Sequence, residues 1–242
     1  MSRMIYGINP VSEALTHIPG QVHRVLADRT KQKNLSKVSR LAKEAGIPVE
    51  WIDRDTLDKL CKGARHQGVA CSADDFSYTS VKEFLAARSS QTRTAVVADQ
   101  IKDPQNIGGM LRAMGAFGAD LLVVGKHRSA IVTPAVVKTS AGAAGLVPVA
   151  RENSLPLVIE QFKKSGFWVF GLEADGPERL SEHDLCGDIV IVVGSEDKGL
   201  SRLVRQKCDA VCRLPQGGPI QSLNAAAALA CALYETARQR GK

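Results

Sequence analysis

The run TAVVADQIKDPQNIGGMLRAMGAFGADLLVVG, from Thr94 to Gly125, decides the fold. Ala95 to Asp99 and Leu121 to Gly125 are short, near-continuous apolar runs, as strands buried on both faces require, and the residues between them carry a helical pattern. Similar runs recur at Phe167 to Leu172, Ile189 to Gly194 and Val211 to Leu214, again separated by helical segments. This alternation predicts an α/β domain over residues 94–242, built on a mostly parallel sheet. Ligands are expected at the carboxyl ends of its strands.

Upstream the texture differs, and 242 residues are enough for two domains. A helix is expected from near Asn9, with Pro10 at its first position, then a strand at Val22 to Ala27 and a helix from Asn34 to Ala45 closed by Gly46. Strands at Pro48 to Ile52 and Gly68 to Ser72, with a short helix from Asp53 to Cys61, complete a small α/β domain over residues 1–77. The stretch ADDFSYTSVKEFLAARSSQTR (Ala73 to Arg93) is acidic and then Ser-rich, so residues 78–93 read as a linker with a short helix.

Hydrophobic residues make up 44% of the chain and charged residues 24%, which excludes disorder by composition. No apolar run approaches membrane-spanning length and no signal peptide opens the chain, so a cytoplasmic protein is expected. Cys61, Cys71, Cys186, Cys208, Cys212 and Cys231 form no CxxC pair and read as reduced core thiols, with no metal expected. The net charge is +7, and its placement is informative. Arg24, Arg29, Lys31, Lys33, Lys37, Arg40 and Lys43 face a single acid, Asp28, within twenty residues. That run is either a solvated helix face or a surface for an RNA backbone.

Three segments of the second domain place polar residues where a strand ends. In the first, Asn106 and Arg112 lie six apart, about 240° of helical rotation, so both reach one site only if Asn106 is the helix cap. The alternative makes Asn106 a cap and Arg112 a surface charge. The second, Val192 to Leu200 (VVGSEDKGL), ends a strand at Gly194 and follows it with Glu196 and Gly199. Glycine at a strand end lets a nucleoside-like ligand reach the backbone, while Glu196 could also be a helix N-terminal carboxylate. No phosphate-cradling GxGxxG or GxxxxGK[ST] motif occurs. The third, Leu214 to Asn224 (LPQGGPIQSLN), is a Gly- and Pro-rich loop between an apolar strand and an alanine-rich helix, which suggests binding. There Ser222 reads as the N-cap and Asn224 as a first-turn residue.

Taken together, NIGGMLRAMGAFG (Asn106 to Gly118), GSEDKGL (Gly194 to Leu200) and PQGGPIQSLN (Pro215 to Asn224) resemble the three signature motifs of the SpoU, or TrmH-like, branch of the SPOUT RNA methyltransferases. The start MIYGINPVSEAL and the segment ending GVAC resemble the L30e-like RNA-binding domain of the 23S rRNA guanosine 2′-O-methyltransferase (RlmB) subfamily. The resemblance implies a trefoil knot in the C-terminal domain, an S-adenosyl-L-methionine pocket formed by the second and third motifs, and a homodimer whose interface completes the site. It also implies that Gly194, Leu214 and Leu223 hold the cofactor, together with Gly199 and Gln216 in the same loops. Asn106, Arg112, Glu196, Ser222 and Asn224 would form the active site. The chain departs from the family pattern at Gln216, where methionine is usual, and at Pro219, where a small residue is commoner.

The implied chemistry suits these residue types. Methyl transfer from a sulfonium to a ribose 2′-OH needs in-line placement and a means of handling the hydroxyl proton. No histidine lies in the motifs, so no imidazole base is expected. Arginine keeps its charge in proteins and presents a planar fork of donors, so Arg112 is better read as a bidentate donor to the adjacent phosphate than as a base. The expected activity is therefore methylation of a guanosine 2′-OH in 23S rRNA, with Arg24, Arg29, Lys31, Lys33 and Lys37 contacting RNA. A tRNA guanosine methyltransferase and a non-catalytic RNA-binding relative are the alternatives.

Overall fold

In the computed structural model the strands form where side chains are apolar on both faces. Thr94–Ala98 (β5), Leu121–Gly125 (β6) and Ile189–Val193 (β10) are buried at every position. The structure describes all residues except Met1, 88–90, Arg128, 220–221 and Lys242, and the side chains of all but these and Ser2, Arg3, Pro134 and Lys138. Two compact units result, Met1–Phe76 with Val132–Gly142, and Ser77–Ile131 with Ala143–Lys242.

The first unit holds a four-stranded sheet of order β1-β4-β2-β3, from Ser2–Tyr6 (β1), Val22–Asp28 (β2), Val49–Ile52 (β3) and Val69–Asp74 (β4). Only β2 and β3 run parallel. Ile8–His17 (α1) and Ser36–Glu44 (α2) pack together, and Arg54–Leu60 (α3) covers Leu26 and Ala70 with Leu57 and Cys61. Two expectations are corrected here. The first helix is capped by Gly7, in a left-handed conformation, so Pro10 is its third residue and not its first. Residues Arg29–Leu35 form a 3-10 segment, so the second α-helix starts at Ser36 and not Asn34. Gly46, also left-handed, closes α2 as read from sequence, with Ile47 N–H donating to the Ala42 carbonyl.

The second unit holds a seven-stranded sheet of order β7-β6-β5-β10-β8-β11-β9, parallel at every described ladder. Its remaining strands are Val149–Glu152 (β7), Trp168–Leu172 (β8), Glu178–Arg179 (β9) and Ala210–Arg213 (β11). The helices are Val81–Ala86 (α4), Pro104–Phe117 (α5), Leu155–Lys164 (α7), Arg202–Lys207 (α8) and Ala225–Gln239 (α9). Leu121, Val123, Val158, Ile159, Phe162, Val190 and Val192 are part of one buried core cluster.

The units divide the chain differently from the expected domains. The described residues of the expected linker pack into the second unit: Thr79 bridges Ala150, Val81 is buried, and the Arg93 guanidinium pairs with Asp188 at 2.8 Å. Ser80 and Glu83 form a reciprocal capping box at the start of α4. Conversely, Pro134–Thr139 (α6) belongs to the first unit, packed against α1 with Val136 and Val137 buried.

Candidate functional site

Strands β8, β10 and β11 end beside one another in the sheet order, and their carboxyl-end loops enclose a cavity of about 580 Å³. That volume lies within the range of about 300–1,000 Å³ usual for small-molecule sites. Gly194, Gly199, Leu214, Gln216, Ser222 and Leu223 all line it, so every position expected to hold a cofactor is brought together. Two glycines make the shape. A Cβ at Gly194 would lie 2.2 Å from the Gly199 carbonyl carbon and oxygen, so the strand end and its returning loop touch through backbone alone. Gly199 itself has φ +62°, and its N–H donates to the Ser195 carbonyl at 2.8 Å.

At the edge of this cavity three side chains from three segments converge. Asn106 Nδ2 donates to Glu196 Oε1 at 3.1 Å, Asn224 Nδ2 donates to Asn106 Oδ1 at 2.8 Å, and Asn224 Nδ2 also donates to Glu196 Oε1. The Ala225 N–H adds a long contact to the same carboxylate oxygen at 3.4 Å. Residues 118 apart in the chain are thereby pinned together. Asn224 does two jobs, since its Oδ1 accepts from Ala226 N–H and Ala227 N–H as the N-cap of α9. The cap is therefore Asn224 and not Ser222, which is exposed and faces the cavity. Residues 220–221 of the third motif lie outside the described residues.

Asn106 is not a cap either. Asp103 caps α5, accepting from Gln105 N–H at 2.9 Å, and Pro104 takes the first helical position, which leaves Asn106 in the first turn, buried. With both residues in the helix body the 240° rotation applies, and Arg112 is exposed, lining neither this cavity nor its smaller neighbour. Of the five expected active-site residues, four gather around the cavity and its edge, and Arg112 stands apart.

Other functional groups were not singled out from sequence. Glu173 and Asp175, just past β8, line the cavity with Arg205. Arg205 Nε donates to Glu173 Oε2 at 2.8 Å, and that carboxylate raises the arginine pKa. Asp99, buried at the end of β5, accepts from Ser201 N–H at 2.6 Å and fixes the start of α8. The rule that ligands meet strand carboxyl ends applied equally to β8 and could have nominated residues 173–175. The cavity wall thus presents carboxylates at Glu173, Asp175 and Glu196 beside the cations Arg205 and Lys198, a mixed lining able to bond a ligand bearing hydroxyl groups.

In the first unit the basic run is less free than its composition suggests. Arg24 pairs with Glu50 at 3.1 Å, Arg29 with Asp53 at 3.4 Å and Arg40 with Glu44 at 3.8 Å. Lys33, Lys37 and Lys43 are exposed, whereas Lys31 folds its stem over Gly68. Buried Asp28 stays well ionised because the Thr30 hydroxyl and N–H bond to it, with Lys31 and Arg54 adding weaker attraction.

Cys61, Cys71 and Cys212 are buried and Cys208 half-buried, but Cys186 and Cys231 are exposed and so are not core thiols. Cys231 sits on the outward face of α9 and Cys186 in a turn before β10. Among the described residues no cluster of His, Cys, Asp and Glu has a metal-binding arrangement, and no helix is long and apolar enough to cross a membrane.

An all-parallel sheet with a ligand cavity at its carboxyl ends, fastened by three polar side chains from distant segments, defines an α/β ligand-binding domain with an appended smaller unit. Comparison with known proteins says which. Residues 93–234 match the SpoU rRNA Methylase family, and residues 4–79 match the RNA 2'-O ribose methyltransferase substrate-binding domain. An uncharacterized tRNA/rRNA methyltransferase of Mycolicibacterium vanbaalenii is 39% identical over 242 residues, 99% of this chain and 77% of the relative. The SpoU methyltransferase AviRb of Streptomyces viridochromogenes, crystallised with AdoMet, superposes with a TM-score of 0.74 at 28% identity, covering 100% of this chain and 91% of that one. The A. aeolicus TrmH/SpoU tRNA modifying enzyme matches 66% of this chain and 81% of its own, with a TM-score of 0.57 at 26% identity. The chain belongs to the SpoU methylase family of RNA methyltransferases, and its C-terminal domain has that family's α/β fold with its trefoil knot.

Proposed function

We propose that this protein transfers a methyl group from S-adenosyl-L-methionine to the ribose 2′-OH of a guanosine in 23S rRNA. The observation that carries the reading is the Asn106–Glu196–Asn224 cluster at the edge of the 580 Å³ cavity, in a chain whose first domain matches an RNA 2'-O ribose methyltransferase substrate-binding domain. The cavity fits the cofactor: its volume suits a nucleoside-sized ligand, the close Gly194–Gly199 backbone contact shapes its wall, and the carboxylates of Asp175 and Glu196 suit ribose hydroxyls. Bound there, S-adenosyl-L-methionine supplies an electrophilic methyl group. Gly194, Leu214 and Leu223 hold it, with Gln216 and Gly199 in the same loops. Asn106, Glu196 and Asn224 fix the loops, and Ser222 orients the ribose.

Arg112 orients the phosphate beside the target ribose. Because it points away from its own cluster, the reading includes a homodimer in which the partner's Arg112 reaches the site. The exposed Tyr234 ring, stacked edge-on against Phe117 at 6.3 Å between α9 and α5, supplies apolar surface for such an interface. Lys31, Lys33 and Lys37, with Arg24 and Arg29, attract the RNA backbone in a cytoplasmic protein. Mapping 2′-O-methyl sites by primer extension in rRNA and tRNA from a deletion strain tests the proposal. Loss of one guanosine methylation in 23S rRNA is expected, and loss of a tRNA site alone assigns the enzyme to tRNA instead.

A further inference from the structure

Across the Asn106–Glu196 hydrogen bond lies a second cavity of about 190 Å³, a third of the larger one's volume. Gln100, Ile101, Lys102, Asp103 and Asp197 line it. Ser195, Glu196 and Lys198 line both cavities, so the two meet at the polar cluster. A ribose whose 2′-OH reaches that junction, with the larger space filled by the methyl donor, has the smaller one beside it for its base.

Away from the Asn106–Glu196 bond, several polar groups of the small cavity are unspent. Asp197, Gln100 and Lys102 make no side-chain hydrogen bond or ion pair among the described residues, while Asp103 has one oxygen committed to capping α5. Gln100 is held at φ +59°, a left-handed conformation that costs a non-glycine residue about 1 kcal/mol or more and recurs at binding sites. Three carboxylates, Asp103, Glu196 and Asp197, against two ammonium groups, Lys102 and Lys198, disfavour a phosphate here. A free carboxylate instead matches a base edge with two adjacent donors. Guanine alone offers that pair, N1–H beside N2–H₂. Adenine and cytosine set one donor next to a bare ring nitrogen, and uracil sets its single N–H between two carbonyls.

We infer that the smaller cavity receives the target base and that the Asp197 carboxylate selects guanine through N1–H and N2–H₂, with Lys102 and the Gln100 amide supplying donors for O6. The inference rests on the methyl-transfer reading above. To test it, bulk rRNA and tRNA from a strain lacking the gene are incubated with the full-length enzyme and tritiated S-adenosyl-L-methionine, then digested to nucleosides. Wild type is expected to label 2′-O-methylguanosine. Asp197→Asn, which sets an amide N–H₂ against the base donors, is expected to lower kcat/KM about tenfold to a hundredfold, mainly through KM. Asp197→Glu should recover part of that loss, and cofactor affinity should stay within about twofold of wild type, since no cofactor contact is altered. Label in another 2′-O-methyl nucleoside overturns the guanine reading while leaving methyl transfer standing. Wild-type kcat/KM in both Asp197→Asn and Lys102→Ala overturns the cavity assignment. Absence of label from every nucleoside overturns it together with the proposed activity.

Discussion

Replacing Asn224 tests the reasoning about the polar cluster most directly, because one side chain serves both a helix and the site. Asn224→Ala removes the acceptor for Ala226 N–H at 3.0 Å and Ala227 N–H at 3.3 Å, a lost N-cap worth about 1 kcal/mol. It also removes the donor to Glu196, which is solvent-accessible and keeps its bond from Asn106 at 3.1 Å, and the donor to the Oδ1 of buried Asn106, so this loss adds about 1 kcal/mol or more. The sum of about 2 kcal/mol lowers Tm by about 4–8 °C for a chain of this size. Asn224→Ser keeps a capping hydroxyl and should recover about half of the drop. Asn224→Asp keeps the cap but sets a second carboxylate against Glu196, so it should bind S-adenosyl-L-methionine worst of the three. Thermal melting with and without the cofactor reads all three variants. A shift below about 1 °C for the alanine variant, or serine and alanine melting together, would refute the partition into cap and cluster.

Gly194→Ala places a methyl group against the Gly199 backbone, so it should destabilise the fold by about 3 kcal/mol or more and abolish cofactor binding, which calorimetry would detect. Arg112→Ala should abolish methyl transfer with cofactor affinity retained; substantial residual turnover in the tritium assay removes Arg112 from the mechanism. Charge reversal of Lys31, Lys33 and Lys37 should weaken binding to an rRNA fragment and flatten its salt dependence by roughly one unit per lost phosphate contact, and an unchanged slope in filter binding shows that RNA is read elsewhere. Burial pushes the Cys208 thiol up to about 12 and Cys212 up to about 11, so both stay protonated, and hence unreactive, until the pH approaches those values. Iodoacetamide at pH 8 should therefore modify Cys231 and spare both until the protein is unfolded, as peptide mass mapping would show.

The strands that carry the site were legible because they are buried on both faces: β5, β6, β8, β10 and β11 fall within a residue or two of the apolar runs that announced them. Strand β7 was not, since only Val149 and Ala150 of its four residues are buried, and β9 is two exposed residues whose pairing depends on β11. Helix starts were misplaced for a local reason. In both motifs two residues able to cap a helix stand close together: Asn106 reads as the cap where Asp103 serves, and Ser222 where Asn224 serves. The pair Asp103–Pro104 did hold the cap-then-proline signal, but Asn224 is recognisable only from its bonds to residues 106 and 196. Arg112 was legible as a functional type and not as a position, because helical phase depended on where α5 begins. The loss of free charge at Arg24, Arg29 and Arg40 came from acids outside or at the edge of the run, which no local count reveals.

The bond between Glu196 and Asn224 spans 28 residues of chain, and it also sets an order of events during synthesis. At about 5–20 residues per second a ribosome adds Asn224 roughly 1–6 s after Glu196. Through that interval the first unit, with exposed Lys37 and Lys43 on α2, has already been synthesised, while the loop after β10 has no partner from the third motif. A chain cut short between those two residues would keep the whole first unit yet lack Asn224 and all of α9, so the polar cluster could not assemble.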